Sequence, residues 1–398
     1  MNTISVYHQC GHNDVWNFDI YNDENVGDGF ILCPKMRTKR GEIISLEDSI
    51  KEKSFFDPQF YQPRSKLKKL SEYDFFPNVI CENEYSTTDF YEIANISAKM
   101  CIDFQINQKY KFLVIPIVAY QETPQNYLEI MKQLYIDPFI NEIRERKISD
   151  KKILLTVVIK DSQLLDMTYT NELLNLITGY IELSGVYLVP LCKKSNKRIK
   201  DTEFILNLLK FINILKDNEM YVHVGYSDIE GLIYSIADID SISIGTYENL
   251  RQFDLDNFNE RKKEGHPNPP NKRIYSSKLF QWIDFNYLGA LKSFGGFNDL
   301  FEQNKYITFD VPNKSNWHFK FPELYKHYMM SLYTQYKVLP LSYEERFDFL
   351  KEKLLYGVEL NKALDDFGIL FDSNNDGSHL SCWITAINQF DRYLKGEE

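Results

Sequence analysis

Short, unbroken apolar runs, separated by amphipathic stretches, restrict the fold of this chain more than any other feature. Residues 112–119 read FLVIPIVA, 153–159 ILLTVVI, 186–191 VYLVPL, 221–225 YVHVG and 241–244 SISI. A strand with one wet face alternates apolar and polar residues. A strand covered on both faces does not, so these runs read as buried parallel strands. The segments between them carry helical periodicity. Tyr127, Leu128, Ile130, Met131, Leu134, Ile136 and Phe139 mark a helix over 125–147, and Leu173, Leu174, Leu176, Ile177 and Ile181 mark one over 171–183. Thr202-Glu203 opens a third, with Phe204, Ile205, Leu208, Leu209, Ile212 and Leu215 on one stripe. Ser227-Asp228 reads as the N-cap of a short helix through Ile236. Upstream, Phe90 to Phe104 reads as a helix and Val79 to Cys81 as a short strand.

Strand and helix alternating in this way build βαβ units, which close into a barrel or spread into an open doubly wound sheet. Further strand candidates are 29–33 (GFILC), 54–56 (SFF) and 273–276 (RIYS). The total of about eight favours a TIM-like (β/α)8 barrel. The chain has no Gly-x-Gly-x-x-Gly or Walker sequence, the usual marks of an open nucleotide-binding sheet. The expected organisation is an N-terminal segment and barrel entry over 1–50, a barrel over 51–304 and a C-terminal helical segment over 305–398. Helices are expected there at 322–338, 343–367 and 380–394. Residues 254–273 interrupt the pattern, and Glu264 to Asn271 is loop chemistry.

With 43% hydrophobic residues in 398, the chain can bury a barrel-sized core. Its net charge of −11 argues against broad nucleic-acid binding, which relies on neutralising phosphates. The runs Arg64 to Lys69 and Lys193 to Arg198 are the local basic exceptions, and both read as solvated faces. Six cysteines with no C-x-x-C spacing argue against a disulfide framework. The longest apolar run is too short to cross a membrane, and no leader pattern follows Met1. A cytoplasmic chain with no membrane partner is expected. Its partner would be a small-molecule or nucleotide ligand, and the C-terminal helices offer a surface for a protein.

Reactive groups of a parallel barrel sit where its strands end. After 54–56 come Asp57-Pro58-Gln59-Phe60-Tyr61-Gln62-Pro63-Arg64. Asp57, beside aromatics at the mouth, is the candidate acid or base, with Gln59, Tyr61 and Arg64 as donors to a substrate. Asp161 follows Lys160 after the next long strand and is a second catalytic candidate. His223 shares a strand face with Tyr221 and Gly225; it is a candidate electrostatic partner for Asp57, and Gly225 lets a ligand approach the backbone. Gly245-Thr246, with Arg251 downstream, fits the late turn where barrels bind phosphate. His8, Cys10 and His12 alternate near the N-terminus, but so short a cluster is not expected to hold a metal, and no cofactor is expected. Asp372 to Ser378 matches half of a calcium loop; Trp383 stands where the last ligand belongs, so a polar turn is expected.

The order of these features resembles the tRNA-guanine transglycosylase-like barrels over roughly residues 50–260. Phe55-Phe56-Asp57 is similar to that family's Asp at the end of an early strand. Val222-His223-Val224-Gly225 and Ile242-Ser243-Ile244-Gly245 are similar to its late glycine-ended strand pair. The family's Asp-Ser-Gly-Gly-Phe-Gln is here Asp57-Pro58-Gln59-Phe60, no nucleophilic Asp ends the late strand, and the zinc cysteines are absent. The likeness is one of topology and carries no activity across. Taken together, the residues suggest a hydrolase or glycosyl-transfer enzyme acting on a nucleotide, nucleobase or phosphosugar. The alternative is a non-catalytic binding or sensing component of an accessory system such as phage defence.

Overall fold

Eight parallel strands form one sheet: β1 (Ser5–Gln9), β2 (Gly29–Leu32), β3 (Phe55–Phe56), β4 (Phe112–Ile115), β5 (Lys152–Lys160), β6 (Gly185–Leu191), β7 (Tyr221–Val224) and β8 (Ser241–Gly245). The computed structural model describes residues 1, 3–81, 87–192, 198–259, 272–295, 297–307 and 321–397. The strand order is β3-β2-β1-β8-β7-β6-β5-β4. Chain order therefore runs round a ring that is open only between β3 and β4. Two backbone hydrogen bonds span that seam, from Lys111 N to Ser54 O at 2.8 Å and from Ala119 N to Tyr61 O at 3.0 Å. The result is a nearly closed, TIM-like α/β barrel.

The expected number of strands is present, but one member differs. Residues 273–276 form β9 (Arg273–Ser276), which pairs antiparallel with β10 (Gln281–Asp284) in a separate hairpin. Four residues join them, which suffices for a hairpin and is far too short for a parallel crossover. The remaining barrel strand is β1, so residues 1–50 supply two strands. Its sequence, Ser-Val-Tyr-His-Gln, is polar at alternate positions, and the search for apolar runs passes over it. The strand expected at Val79 to Cys81 is instead a helical turn, Pro77–Ile80, started by a proline suited to a first helical position.

Helices cover the outside: α1 (Val15–Glu24), α2 (Asp48–Lys51), α3 (Thr87–Asn107), α4 (Asp137–Arg146), α5 (Met167–Thr178), α6 (Thr202–Asp217), α7 (Gly231–Tyr234) and α8 (Glu248–Arg251). All six residues of the stripe read on α6 are buried. The Asp201 carboxylate caps that helix by accepting from Phe204 N at 3.0 Å. The short helix after β7 starts at Gly231, so Asp228 is not its cap and is available for another role.

The C-terminal segment contributes α9 (Pro322–Lys337), α10 (Tyr343–Asp366) and α11 (His379–Leu394), close to the expected bounds. α9 packs on α1 and β9, and α11 packs on α6 and α10. Trp383 is fully buried, and its Nε1 donates to Ile199 O at 2.9 Å. Asp372 to Ser378 forms the expected polar turn: Asp372 Oδ1 accepts from Asn374 N and Asn375 Nδ2, and Asn375 in turn bonds Gln281 and Asp284 of the hairpin. The basic residues 193–197, the loop 264–271 and His318 lie outside the described residues. Among the described residues, no helix is long and apolar enough to cross a membrane.

Candidate functional site

Strand register decides what the barrel encloses. Tyr7 pairs with Gly29 and Ser243, Ile31 with Phe55, and Tyr187 with His223, which places them on one face of the sheet. Their rings meet in the lumen. His223 lies 5.5 Å from Tyr7, 5.0 Å from Phe55 and 5.4 Å from Tyr187, centroid to centroid. The lower lumen is thus a packed aromatic plug. Gly225 serves this plug: a Cβ there would fall 2.3 Å from the Tyr187 ring, so a neighbouring side chain, rather than a ligand, makes the close approach.

Above the plug sits Asp57. Its N–H donates to Leu32 O at 2.8 Å, continuing the β2–β3 ladder by one residue. Proline follows and ends the ladder. The carboxylate is buried and well bonded: Oδ1 accepts from Gln59 N at 3.0 Å, and Oδ2 accepts from the Tyr61 hydroxyl at 3.0 Å and the Tyr187 hydroxyl at 3.5 Å. Burial raises its pKa to about 7, outweighing the hydrogen bonds that favour the anion. The Gln9 carboxamide joins the group. Its Oε1 lies 3.5 Å from the Tyr187 hydroxyl, and its buried Nε2 has no hydrogen-bond partner among the described residues.

Aromatic rings close the mouth over Asp57. Phe253 and Phe258 pack on Tyr61 at 4.7 and 5.2 Å, and Phe253 packs on Tyr226 at 5.1 Å. The Gln59 Nε2 donates to the Tyr226 hydroxyl at 3.2 Å. A residual cavity of about 20 Å³ remains, lined in part by Cys10, Cys33, Gln59, Tyr226 and Phe253. That is space for roughly one water.

Backbone geometry marks the same place. Gln59 and Tyr226 adopt left-handed φ values of 57° and 52°, directly after β3 and β7. Asn25, Lys147 and Asp238 share that conformation, but each terminates a helix, where it is ordinary. Gln59 and Tyr226 terminate none, nor do Asn13 and Phe280, at 61° and 50°, which lie before a helix and in the β9–β10 turn. Non-glycine residues held this way cost energy and gather at functional sites.

The other sequence candidates fall elsewhere. His223 is fully buried one layer below Asp57, and no hydrogen bond joins the two. Its Nδ1 is 2.7 Å from Ser241 Oγ, and burial lowers its pKa to about 3, so the ring is neutral. A neutral imidazole supplies no charge to Asp57. Arg64 and Asp161 are exposed, and neither is among the partners of Asp57. Asp161 Oδ1 instead accepts from Ser162 N at 2.7 Å. At Gly245 the space of a phosphate is filled, since a Cβ there would stand 2.5 Å from Leu250 Cβ. Arg251 points away from Asp57: its guanidinium lies 4.3 Å from the Trp282 ring centroid, and Nη1 is 3.7 Å from Asp228 Oδ1.

Of the N-terminal cluster, His8 faces the outside of the barrel, stacked on Phe30. Its Nε2 donates to Val26 O at 2.7 Å and its Nδ1 accepts from Asn17 Nδ2 at 3.1 Å, so both ring nitrogens are engaged. His12 is exposed. Among the described residues, no group of three or more His, Cys, Asp or Glu is placed to hold a metal.

Tyr187, Phe253 and Phe258 are site residues that the sequence reading passed over as candidates for chemistry, whereas Gln9, with His12 and Asn13, reads as part of a pocket rim and Tyr226 as a polar residue just past its strand. Tyr187 carried a signal, since a buried tyrosine hydroxyl in an apolar strand needs a polar partner. Phe253 and Phe258 lay in a stretch read only as an interruption. No family model matches the chain, and no curated protein matches it.

Proposed function

We infer that this barrel is an enzyme of hydrolase or glycosyl-transfer type, with Asp57 as its proton-transfer group. One observation carries the reading: a single carboxyl, wholly buried at a strand's C-terminal end, with its pKa brought to about 7. A group poised near neutrality can both give and take a proton, as acid–base catalysis requires. The ligand portion that reaches Asp57 is uncharged, because the immediate partners of the carboxyl are hydroxyls and amides. A nucleobase or a sugar ring, stacked among Tyr61, Tyr226 and Phe253, suits these walls better than a phosphate. Gln9 and Gln59 would fix its orientation.

The test is a panel of nucleosides and aryl glycosides, followed for release of base or aglycone, with wild type beside Asp57→Asn. Release by wild type and none by the variant supports the reading. A panel that is turned over equally by both proteins removes Asp57 from the chemistry. The closed mouth, with its cavity of about 20 Å³, favours a second reading, a non-catalytic sensor that clamps a ligand. A ligand that raises the melting temperature of wild type without being consumed would select it.

A further inference from the structure

A second cavity opens where β4 and β5 end. It is a groove of about 530 Å³ along the loop after β4 and the start of α5. Lys160, the last residue of β5, reaches into it. Its Nζ donates to Gln121 O at 2.7 Å and to Thr123 Oγ1 at 2.9 Å. Both hydrogen-bond partners are neutral oxygens, and the carboxylates of Asp161 and Glu122 act on the amine through space.

Gln163 extends the polar line. Its Oε1 accepts from Lys160 N at 2.9 Å, and its Nε2 donates to Thr123 Oγ1 at 3.4 Å and to the Tyr169 hydroxyl at 2.8 Å. Lys160, Thr123, Gln163 and Tyr169 thus form one hydrogen-bonded chain through the groove. Glu122, Asp166 and Glu172 stand around it and oppose an anionic ligand. Hydroxyls, amides and an aromatic ring in an open groove of this size suit a neutral ligand rich in hydroxyl groups.

We propose that this groove is a second binding site, for a small polyhydroxylated aldehyde or ketone, and that the Lys160 amine captures the ligand's carbonyl as an imine. The Nζ lone pair forms a bond to the carbonyl carbon, and the C=O π pair moves onto oxygen. A proton passes from nitrogen to that oxygen, giving a carbinolamine. The hydroxyl then leaves as water with the second amine hydrogen, and C=N remains. Amine and carbonyl become imine and water, with no oxidant or reductant. Partial burial lowers the amine's pKa, outweighing Asp161 and Glu122, which raise it, and so increases the share of the reactive neutral form. The site is independent of Asp57.

Reductive trapping tests this directly. The full chain is incubated at pH 7 with glyceraldehyde and cyanoborohydride, and modified lysines are mapped by peptide mass. Lys160 should be alkylated about tenfold faster than the exposed Lys66 and Lys68, as for an amine activated by desolvation. Labelling should saturate with glyceraldehyde and stay linear with propanal, which has the carbonyl but no hydroxyls. Lys160→Arg, which keeps a donor for Gln121 and Thr123, should fold and lose the fast label. Modification of Lys160 no faster than that of Lys66 and Lys68 overturns the site. Equal, non-saturating labelling by both aldehydes overturns the ligand class.

Discussion

Asp57 and His223 share one barrel lumen without meeting. The Tyr187 side chain lies between their layers, its hydroxyl 3.5 Å from Asp57 Oδ2 and its ring 5.4 Å from the His223 ring. Each titratable group therefore answers to its own burial, and the two shifts run in opposite directions along the pH scale. Two predictions follow from that separation.

For Asp57, the folded pKa of about 7 exceeds the ordinary carboxyl value near 3.8. Between those values the folded state keeps a proton that the unfolded chain has lost. Asp57 therefore costs nothing at low pH, and the cost grows as pH rises from about 4 to 7, reaching at most about 4 kcal/mol. Asp57→Asn keeps an acceptor for Gln59 N and the Tyr61 hydroxyl while removing the charge. The variant should gain more stability over wild type at pH 8 than at pH 4.5, measured by urea denaturation. A difference that stays constant across that range would show that Asp57 titrates like a surface carboxyl.

Four histidines act in the other sense. Burial lowers His8 and His327 to about 4, and His223 and His379 to about 3. In each, the stability is fully present above the unfolded value near 6.5 and is lost as pH falls toward the folded value. Unfolding at pH 5 takes up nearly four protons on these rings, against the one that Asp57 releases. Stability should fall by about 4 kcal/mol per pH unit below pH 6. Urea midpoints at pH 7.0, 6.0 and 5.0 read this directly, and equal midpoints would contradict the burial of neutral rings. His223→Gln should remove about a quarter of the histidine share.

The sequence reading reached the fold, and the position of Asp57 at a strand's end, for the same reason. Buried parallel strands leave long apolar runs, and a carboxyl placed after Phe55-Phe56 stands out against them. It missed β1 because Ser5, Tyr7 and Gln9 put polar atoms into the lumen, which hides a buried strand from a search for apolar residues. It took His223 for a charged partner because spacing shows a shared face but not the layer at which a side chain sits. Arg251 read as an anion clamp because Trp282 and Tyr328, which cover it, come from segments far along the chain. Tertiary contacts of that range leave no local signal.

The aromatic mouth should behave as a cover. Cys10 and Cys33 line the small cavity beneath Phe253 and are buried, with Cys33 pushed up to about 12. Their native reaction with a thiol reagent should be slow in wild type. Phe253→Ala removes the ring that rests on Tyr61 and Tyr226, and should cost about 3 to 5 kcal/mol. It should also speed thiol labelling at least tenfold under conditions where the protein stays folded. Unchanged labelling of the folded variant would mean that Phe253 is packing alone and that ligands reach Asp57 by another route.

One tie between barrel and C-terminal segment is made at Asp228, after β7. Its Oδ1 accepts from the Tyr328 hydroxyl at 3.0 Å and lies 3.7 Å from Arg251 Nη1, while Oδ2 lies 3.8 Å from Arg198 Nη1. All three charged groups are buried. Asp228 is the foremost charge favouring both buried guanidiniums, beside Glu230 at Arg198 and Glu248 at Arg251. Asp228→Asn preserves an acceptor for Tyr328 but withdraws that charge, and should cost about 3 to 5 kcal/mol. Tyr328→Phe removes one hydrogen bond to a charged group and should cost about 1.5 to 3 kcal/mol. Urea melts of both variants at pH 7 decide which interaction dominates. If Asp228→Asn costs no more than Tyr328→Phe, the ion pairs contribute little, and the Tyr328 hydrogen bond is the part of this cluster that ties the C-terminal segment to the barrel.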